Sequence, residues 1–275
     1  MKISIHELTT RDGTFAQHLA AYAKTGWRHF EISFGKAKDF IDREGIEATR
    51  KRVNDHGLRC VAATGLEFNP FEGAEERAND IDTIKQYGEW MQALGCQPLV
   101  VGSRLPQDYS RSNYDDTIKR LADHVREAAQ AGEPFGMKLA IEVNWCAPCR
   151  SFRTAGRLVQ QVDHANVGVV WDEAHFYTTP SRLGDLDLLK GRIMHAHLDD
   201  MNDTFVEVMD MNADRVIPGK GIFPLRQWNE KVAAVGYDGY HSVELFDESL
   251  WAQEMESICR QVMDGCRSVW PEATF

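Results

Sequence analysis

The chain has 275 residues, 43% hydrophobic and 27% charged, the balance of a folded globular protein rather than a disordered one. Its 42 acidic residues outnumber 31 basic ones, for a net charge of −11, which speaks against nucleic acid as the main partner. No apolar run approaches the roughly 18 residues of a membrane span, and six cysteines are too sparse for a disulfide scaffold. The N-terminus turns polar after MKISI and shows no apolar leader core, so a cytoplasmic protein is expected.

Short apolar runs alternate with amphipathic stretches along the whole chain. Runs at 2–6, 28–32 and 58–63 come first, and after them Ile81, Ile84, Tyr87, Met91 and Leu94 recur at helical steps. The run at 98–101 is followed by the stripe Ile118, Leu121, Ala122, Val125 and Ala129. Runs at 137–143, 167–172, 193–198 and 240–245 complete eight, and a stripe from Trp251 through Met255, Ile258, Cys259, Val262 and Met263 to Cys266 closes the chain. Eight units in 275 residues average about 34 each, which predicts an α/β fold: a single-domain (β/α)8 TIM barrel over residues 1–275. An open doubly wound sheet would show a Gly-rich turn after the first strand, and HELTTRDGT has none.

Barrel enzymes carry their chemistry at the C-terminal ends of strands. The fifth run carries Glu142 at its end, one residue before Val143; the sixth ends on Asp172 with His175 just beyond; the seventh and eighth carry His197 and Glu244 one residue before their last. Carboxylates are costly to bury unless paired or coordinating a metal. Any one of them alone reads as a solvated strand end; four on successive strands point to one divalent cation, and Mn, Co, Zn or Mg all suit such oxygen and nitrogen ligands.

This pattern resembles the xylose-isomerase-like barrels, the sugar phosphate isomerase/epimerase superfamily. Within it, ELTT, NVGVVWDEAHF, HLDD, DRVIPGKG and VGYDGYHSVELFDESLW resemble inosose (2-keto-myo-inositol) isomerases, and the likeness runs from Met1 to the last helix. The resemblance implies a metal held by Glu142, Asp172, His197 and Glu244. It also implies that Glu142 and Glu244 act as the acid/base pair, with His175 and Arg215 gripping substrate oxygens. The expected activity is isomerisation of a keto-cyclitol or related keto sugar through an enediolate, with a ketose 3-epimerase or a lyase on a 3-keto sugar as alternatives. The superfamily's apurinic endonucleases need additional ligands that this acidic chain does not supply. A homo-oligomer is compatible with the chain and nothing in the sequence decides it.

His195 shares the inward face with His197, where the inosose branch is expected to be apolar. Trp145 reads as a hydrophobic wall against the substrate ring or as a rim aromatic on its own loop. Glu7 and Glu31 end the first two runs and read as contacts to substrate hydroxyls or as polar rim. Cys146 and Cys149 form a C-x-x-C without the thioredoxin-like context or a second pair, and Pro218–Gly221 lacks P-loop spacing and reads as a turn that positions Arg215.

Overall fold

The computed structural model describes residues 1–275. Its elements run β1 (Lys2–His6), α1 (Phe15–Thr25), β2 (His29–Ser33), α2 (Phe34–Glu44), α3 (Ile46–Asp55), β3 (Arg59–Phe68), α4 (Ala74–Leu94), β4 (Pro98–Ser103), α5 (Tyr114–Gly132) and β5 (Lys138–Ile141). There follow α6 (Phe152–Val162), β6 (Val167–Trp171), α7 (Glu173–Thr178), β7 (Ile193–Leu198), the two-residue strands β8 (Asp200–Met201) and β9 (Arg215–Val216), and α8 (Leu225–Ala234). The chain ends with β10 (Tyr240–Val243), α9 (Glu248–Trp251) and α10 (Met255–Val269). Eight of the strands close a barrel in the order β1-β10-β7-β6-β5-β4-β3-β2, while β8 and β9 pair antiparallel on the loop that leaves β7. Every barrel pairing is parallel, as the βα alternation demands. All eight runs read from the sequence are strands.

Local chemistry explains the element boundaries. Thr14 caps α1 in a capping box with Gln17, and Gly26 ends that helix at φ 97°, a left-handed conformation that glycine adopts without strain. The stripe Ile118, Leu121, Ala122, Val125 and Ala129 is the buried face of α5. The final stripe is broken where continuity was expected: Trp251 lies on α9, a separate short helix started by Asp247, whose Oδ1 accepts from the amides of Ser249 and Leu250. β3 runs to Phe68, beyond the expected end at 63, with its register against β4 shifting between Ala63 and Leu66.

Sixty-seven buried apolar side chains form one cluster, and a second cluster contains only Val100, Ala140 and Val170, on β4, β5 and β6. Alternation on the strands puts this trio inside the barrel. Burying each large apolar side chain is worth about 1.5–3 kcal/mol, so the layer between sheet and helices carries the fold. The half of the barrel interior built by β1, β2, β7 and β10 is different. There Ser4, His6, Glu31, His195, His197 and Ser242 are buried where most barrels place branched aliphatic side chains. No helix is long and apolar enough to cross a membrane.

Candidate active site

Register brings the polar half of the interior together. His6 on β1 pairs with Glu31 on β2, and Ser242 on β10 pairs with His197 on β7. His195 Nε2 is 2.7 Å from Glu31 Oε2 and 3.0 Å from Ser242 Oγ. His197 Nε2 lies 3.4 Å from Glu31 Oε1, and His6 Nε2 lies 3.5 Å from the same oxygen and 3.6 Å from Glu244 Oε1. Burial alone would raise the Glu31 pKa, but His195, His6 and His197 around it hold the carboxyl well below its usual range.

At the C-terminal mouth, the residues that follow β5, β6 and β10 converge. Asp172 splits its duties: Oδ1 accepts from the His175 amide at 2.7 Å and caps α7, leaving Oδ2 for the mouth. His197 Nδ1 is 3.1 Å from Glu244 Oε2 and 3.5 Å from Asp172 Oδ2, yet makes no hydrogen bond there. Arg215, fully buried at the start of β9, places Nη1 3.1 Å from both Asp172 Oδ2 and Glu244 Oε2 and 2.8 Å from Asp199 Oδ2. Its Nη2 lies 3.4 Å from His175 Nε2, which is 3.5 Å from Glu142 Oε1. Glu142 Oε2 accepts from Asn144 Nδ2 at 2.7 Å, and Glu142 is the most open of the acids, its side chain 22% exposed.

The electrostatics follow from these contacts. Burial opposes ionisation of Glu244, but His197, His6 and Arg215 pull its pKa down to about 2. Asp172 is held far below its usual value, against burial, by Arg215, His175 and His197. His197 is pushed well up despite burial, by Glu244, Glu31 and Asp172. Burial lowers the His175 pKa, but Asp172 and Glu142 outweigh it and raise the value. Glu142 is lowered against its burial by His175. Asp199 moves the other way, raised by burial and by the Asp172 charge in spite of Arg215. The cluster is a place built for positive charge, and a guanidinium already stands in it.

The structure thus brings Glu142, Asp172, His197, Glu244, His175 and Arg215 to one mouth. Trp145, on the loop after β5, is 52% exposed beside it. Glu7 is not there. It is fully buried against α1, with Oε1 2.9 Å from His18 Nδ1 and Oε2 accepting from the Ser33 amide at 2.7 Å. Alternation is the reason: His6 takes the inward face and its neighbour turns outward. Sequence reasoning also passed over His6, Asp199 and Asn144, although the strand period points to His6 and the HLDD segment contains Asp199. The Pro218–Gly221 turn has an internal occupant. Asp200 accepts from the amides of Gly219 at 3.0 Å, Gly221 at 2.9 Å and Phe223 at 2.9 Å, so the turn is organised around this chain's own carboxylate. Cys149 is buried, Cys146 is exposed and both are free, as are Cys60, Cys96, Cys259 and Cys266, all buried.

Comparison with known proteins agrees with the fold. The family profile described as xylose isomerase-like TIM barrel matches residues 19–263. The inosose isomerase of Bacillus velezensis is 27% identical over 98% of this chain and 97% of its own. The 3-dehydroshikimate dehydratase of Pseudomonas aeruginosa is 27% identical over 94% of this chain but only 39% of its own length. Among solved structures, one titled as an IOLI protein with a binding zinc atom superposes with a TM-score of 0.87 at 24% identity, covering 98% of both chains.

Proposed function

We propose, from the premise that this chain belongs to the xylose isomerase-like TIM-barrel family, that it is a divalent-metal-dependent isomerase of a keto-cyclitol or a related cyclic keto sugar. That it is an enzyme follows from its relatives, which are isomerases, epimerases and dehydratases. One observation carries the finer reading: His197 Nδ1, buried and without a hydrogen bond, faces a carboxylate oxygen of Glu244 at 3.1 Å and of Asp172 at 3.5 Å. An imidazole nitrogen and two anionic oxygens that converge suit a cation such as Mn, Co, Zn or Mg in addition to the Arg215 guanidinium already there, and Glu142 closes the set. Two triads keep all their donor atoms within 4.8 Å of one another, and both share His197 with the proposed set: His6 with His197 and Glu244, and Glu31 with His195 and His197. The second of these is already closed by the His195–Glu31 contact at 2.7 Å and lies deeper in the barrel. It orients His197 rather than meeting substrate.

Bound there, a divalent cation supplies Lewis-acid polarisation of a substrate carbonyl and its neighbouring hydroxyl. The chain's own groups do the rest. Glu142, half-buried and steadied by Asn144, takes the proton from the carbon beside the carbonyl. Glu244 is the second member of the acid/base pair: the proton that Glu142 removes is returned to the former carbonyl carbon by Glu142 itself or handed on through Glu244, while the hydroxyl proton passes to the former carbonyl oxygen, so the carbonyl moves by one position. His175 and Arg215 orient the substrate oxygens through nitrogen donors and, in the free protein, keep the acids ionised. Epimerisation and dehydration share the first half of this sequence and diverge only in where the proton or leaving group goes next.

Two measurements test the proposal together. Protein purified without chelator should hold about one divalent metal per chain, and 2-keto-myo-inositol in D2O should gain deuterium at the carbon beside its carbonyl or transfer that hydrogen internally during conversion. Metal stoichiometry far below one, unchanged on adding Mn, Co or Zn, sinks the metal assignment. Metal-loaded protein that neither converts nor exchanges inosose, free ketohexoses and 3-keto sugars overturns the enediolate reading.

A further inference from the structure

Five large apolar side chains stand out in solvent beside the mouth: Trp145 at 52% exposure, Tyr177 at 43%, Phe205 at 82%, Val206 at 77% and Val208 at 71%. An exposed patch of this kind normally marks a binding surface. Four of them, with Met209 and Met211, line a cavity of about 800 Å³ whose walls contain two acids and two threonines but no lysine or arginine. Ligand pockets span about 300–1,000 Å³, so this one has room for more than a small polyol ring.

The cavity is tied to the chemistry on three sides. Trp145 follows Asn144, the residue that holds Glu142. Tyr177 rides on α7 together with His175. The Met211 carbonyl accepts from Arg215 Nε at 3.0 Å. The loop that carries Phe205 is itself built: Thr204 Oγ1 donates to Asp214 Oδ1 at 2.9 Å, the Asp210 amide donates to Asp214 Oδ2 at 2.8 Å, and the Asn202 amide donates to the Asp214 carbonyl at 2.9 Å.

We propose that this cavity is a subsite for an apolar substituent, so that the substrate is a keto ring, cyclitol or sugar, bearing an aryl or alkyl group in glycosidic or ether linkage. The assignment rests on the keto-ring reading of the adjacent acid cluster. An unsubstituted polyol presents hydroxyls on every edge and leaves a wall of Trp145, Tyr177, Phe205 and Met209 unused. The absence of basic side chains disfavours a phosphorylated or carboxylated appendage. A second copy of the chain seated on the patch would cover the loops through which substrate must enter, whereas a substituent on the substrate uses the patch only during binding.

The test compares methyl and phenyl 3-keto-β-D-glucoside on metal-loaded protein, by isothermal titration for binding and by C–H/deuterium exchange for reaction. Phenyl should bind at least about tenfold tighter than methyl, the smallest discrimination expected from one added apolar group in a hydrophobic pocket. Phe205→Ser, an exposed position whose loss leaves the core intact, should bring that ratio toward one. Equal affinities for the two probes, or no heat with either, overturn the subsite. So does a Phe205→Ser protein that changes from dimer to monomer in sedimentation while the ratio stays put, because the patch is then a subunit contact. Exchange reads the other proposal separately: a tenfold binding preference with no exchange on any keto ring retains the subsite and rejects the enediolate chemistry, while exchange without preference does the reverse.

Discussion

Buried carboxylates occur in two settings in this protein, and the difference between them locates the function. Two of those away from the mouth have both carboxylate oxygens paired. Glu7 is satisfied by His18 and the Ser33 amide, and Asp80 by His124 Nε2 at 2.9 Å and the Asn69 amide at 2.7 Å. At the mouth, Asp172, Asp199 and Glu244 crowd one guanidinium, and polar atoms remain unmatched, among them His197 Nδ1, His175 Nδ1 and Asp199 Oδ1. Burial of an acid is therefore no marker of chemistry by itself. Convergence of several acids on one buried cation is the marker, since unmatched atoms also occur beside the isolated acids, at His18 Nε2, His124 Nδ1 and Glu173 Oε2.

Breaking the open cluster should act on rate. Glu244→Gln keeps the size and one carbonyl oxygen but removes a general acid–base group, so turnover should fall about 10²–10⁴-fold, with circular dichroism unchanged. A variant that loses less than tenfold would assign the proton transfers elsewhere. Arg215→Lys sharpens the same side of the comparison. It retains the charge but loses the fork that reaches Asp172, Asp199 and Glu244 together, and turnover should drop by about ten- to a hundredfold while metal content holds.

Breaking a closed pair should act on stability instead. Asp80→Ala strands His124 and the Asn69 amide, at a cost of about 1–3 kcal/mol, read as a lower melting temperature with wild-type metal content and turnover per folded molecule. Loss of activity out of proportion to folded protein would erase the distinction between the two settings.

Glu173 supplies the smallest and most specific test. Buried beside Trp171, with only Oε1 satisfied by Asn229 Nδ2 at 3.0 Å, its pKa is pushed up to about 8, burial being the main cause. The sign is set by linkage. An acid whose folded pKa exceeds its unfolded value loses proton affinity on unfolding, so stability is unaffected below about pH 4 and declines as pH rises toward 8. Glu173→Gln should flatten that slope, so that its stability relative to wild type improves by about 1–3 kcal/mol between pH 4 and pH 8. Parallel stability curves for the two proteins would show that the carboxyl ionises freely in the fold.

Much of this was legible in order along the chain. The eight runs became the eight barrel strands because each is a short segment between amphipathic helices, continuously apolar at 98–101 and 167–171 and alternating with inward polar residues at 2–6, 28–32, 193–198 and 240–245. Glu142, Asp172, His197 and Glu244 were legible because each lies at the end of a run or one residue before it, and parallel strands deliver their ends to one rim. Residues one step off that rule were misjudged. Glu7 was expected at the rim and lies behind the sheet, since a single residue of register exchanges the two faces.

What the sequence by itself determined is therefore periodic: strand count, helix stripes, and the identity of the polar residues at strand ends. Tertiary structure decided everything that depends on closure of the barrel. Only closure sets β1 beside β10, which places His6 within 3.6 Å of Glu244, a residue from the far end of the chain. Only the β8–β9 excursion carries Arg215 back from a surface loop into the acids, where the charges of Asp172, Asp199 and Glu244 in contact with it outweigh the cost of burying its own. Periodicity is a local property and survives in one dimension. Pairing between distant residues is set by the geometry of the closed sheet, and no window along the chain contains it.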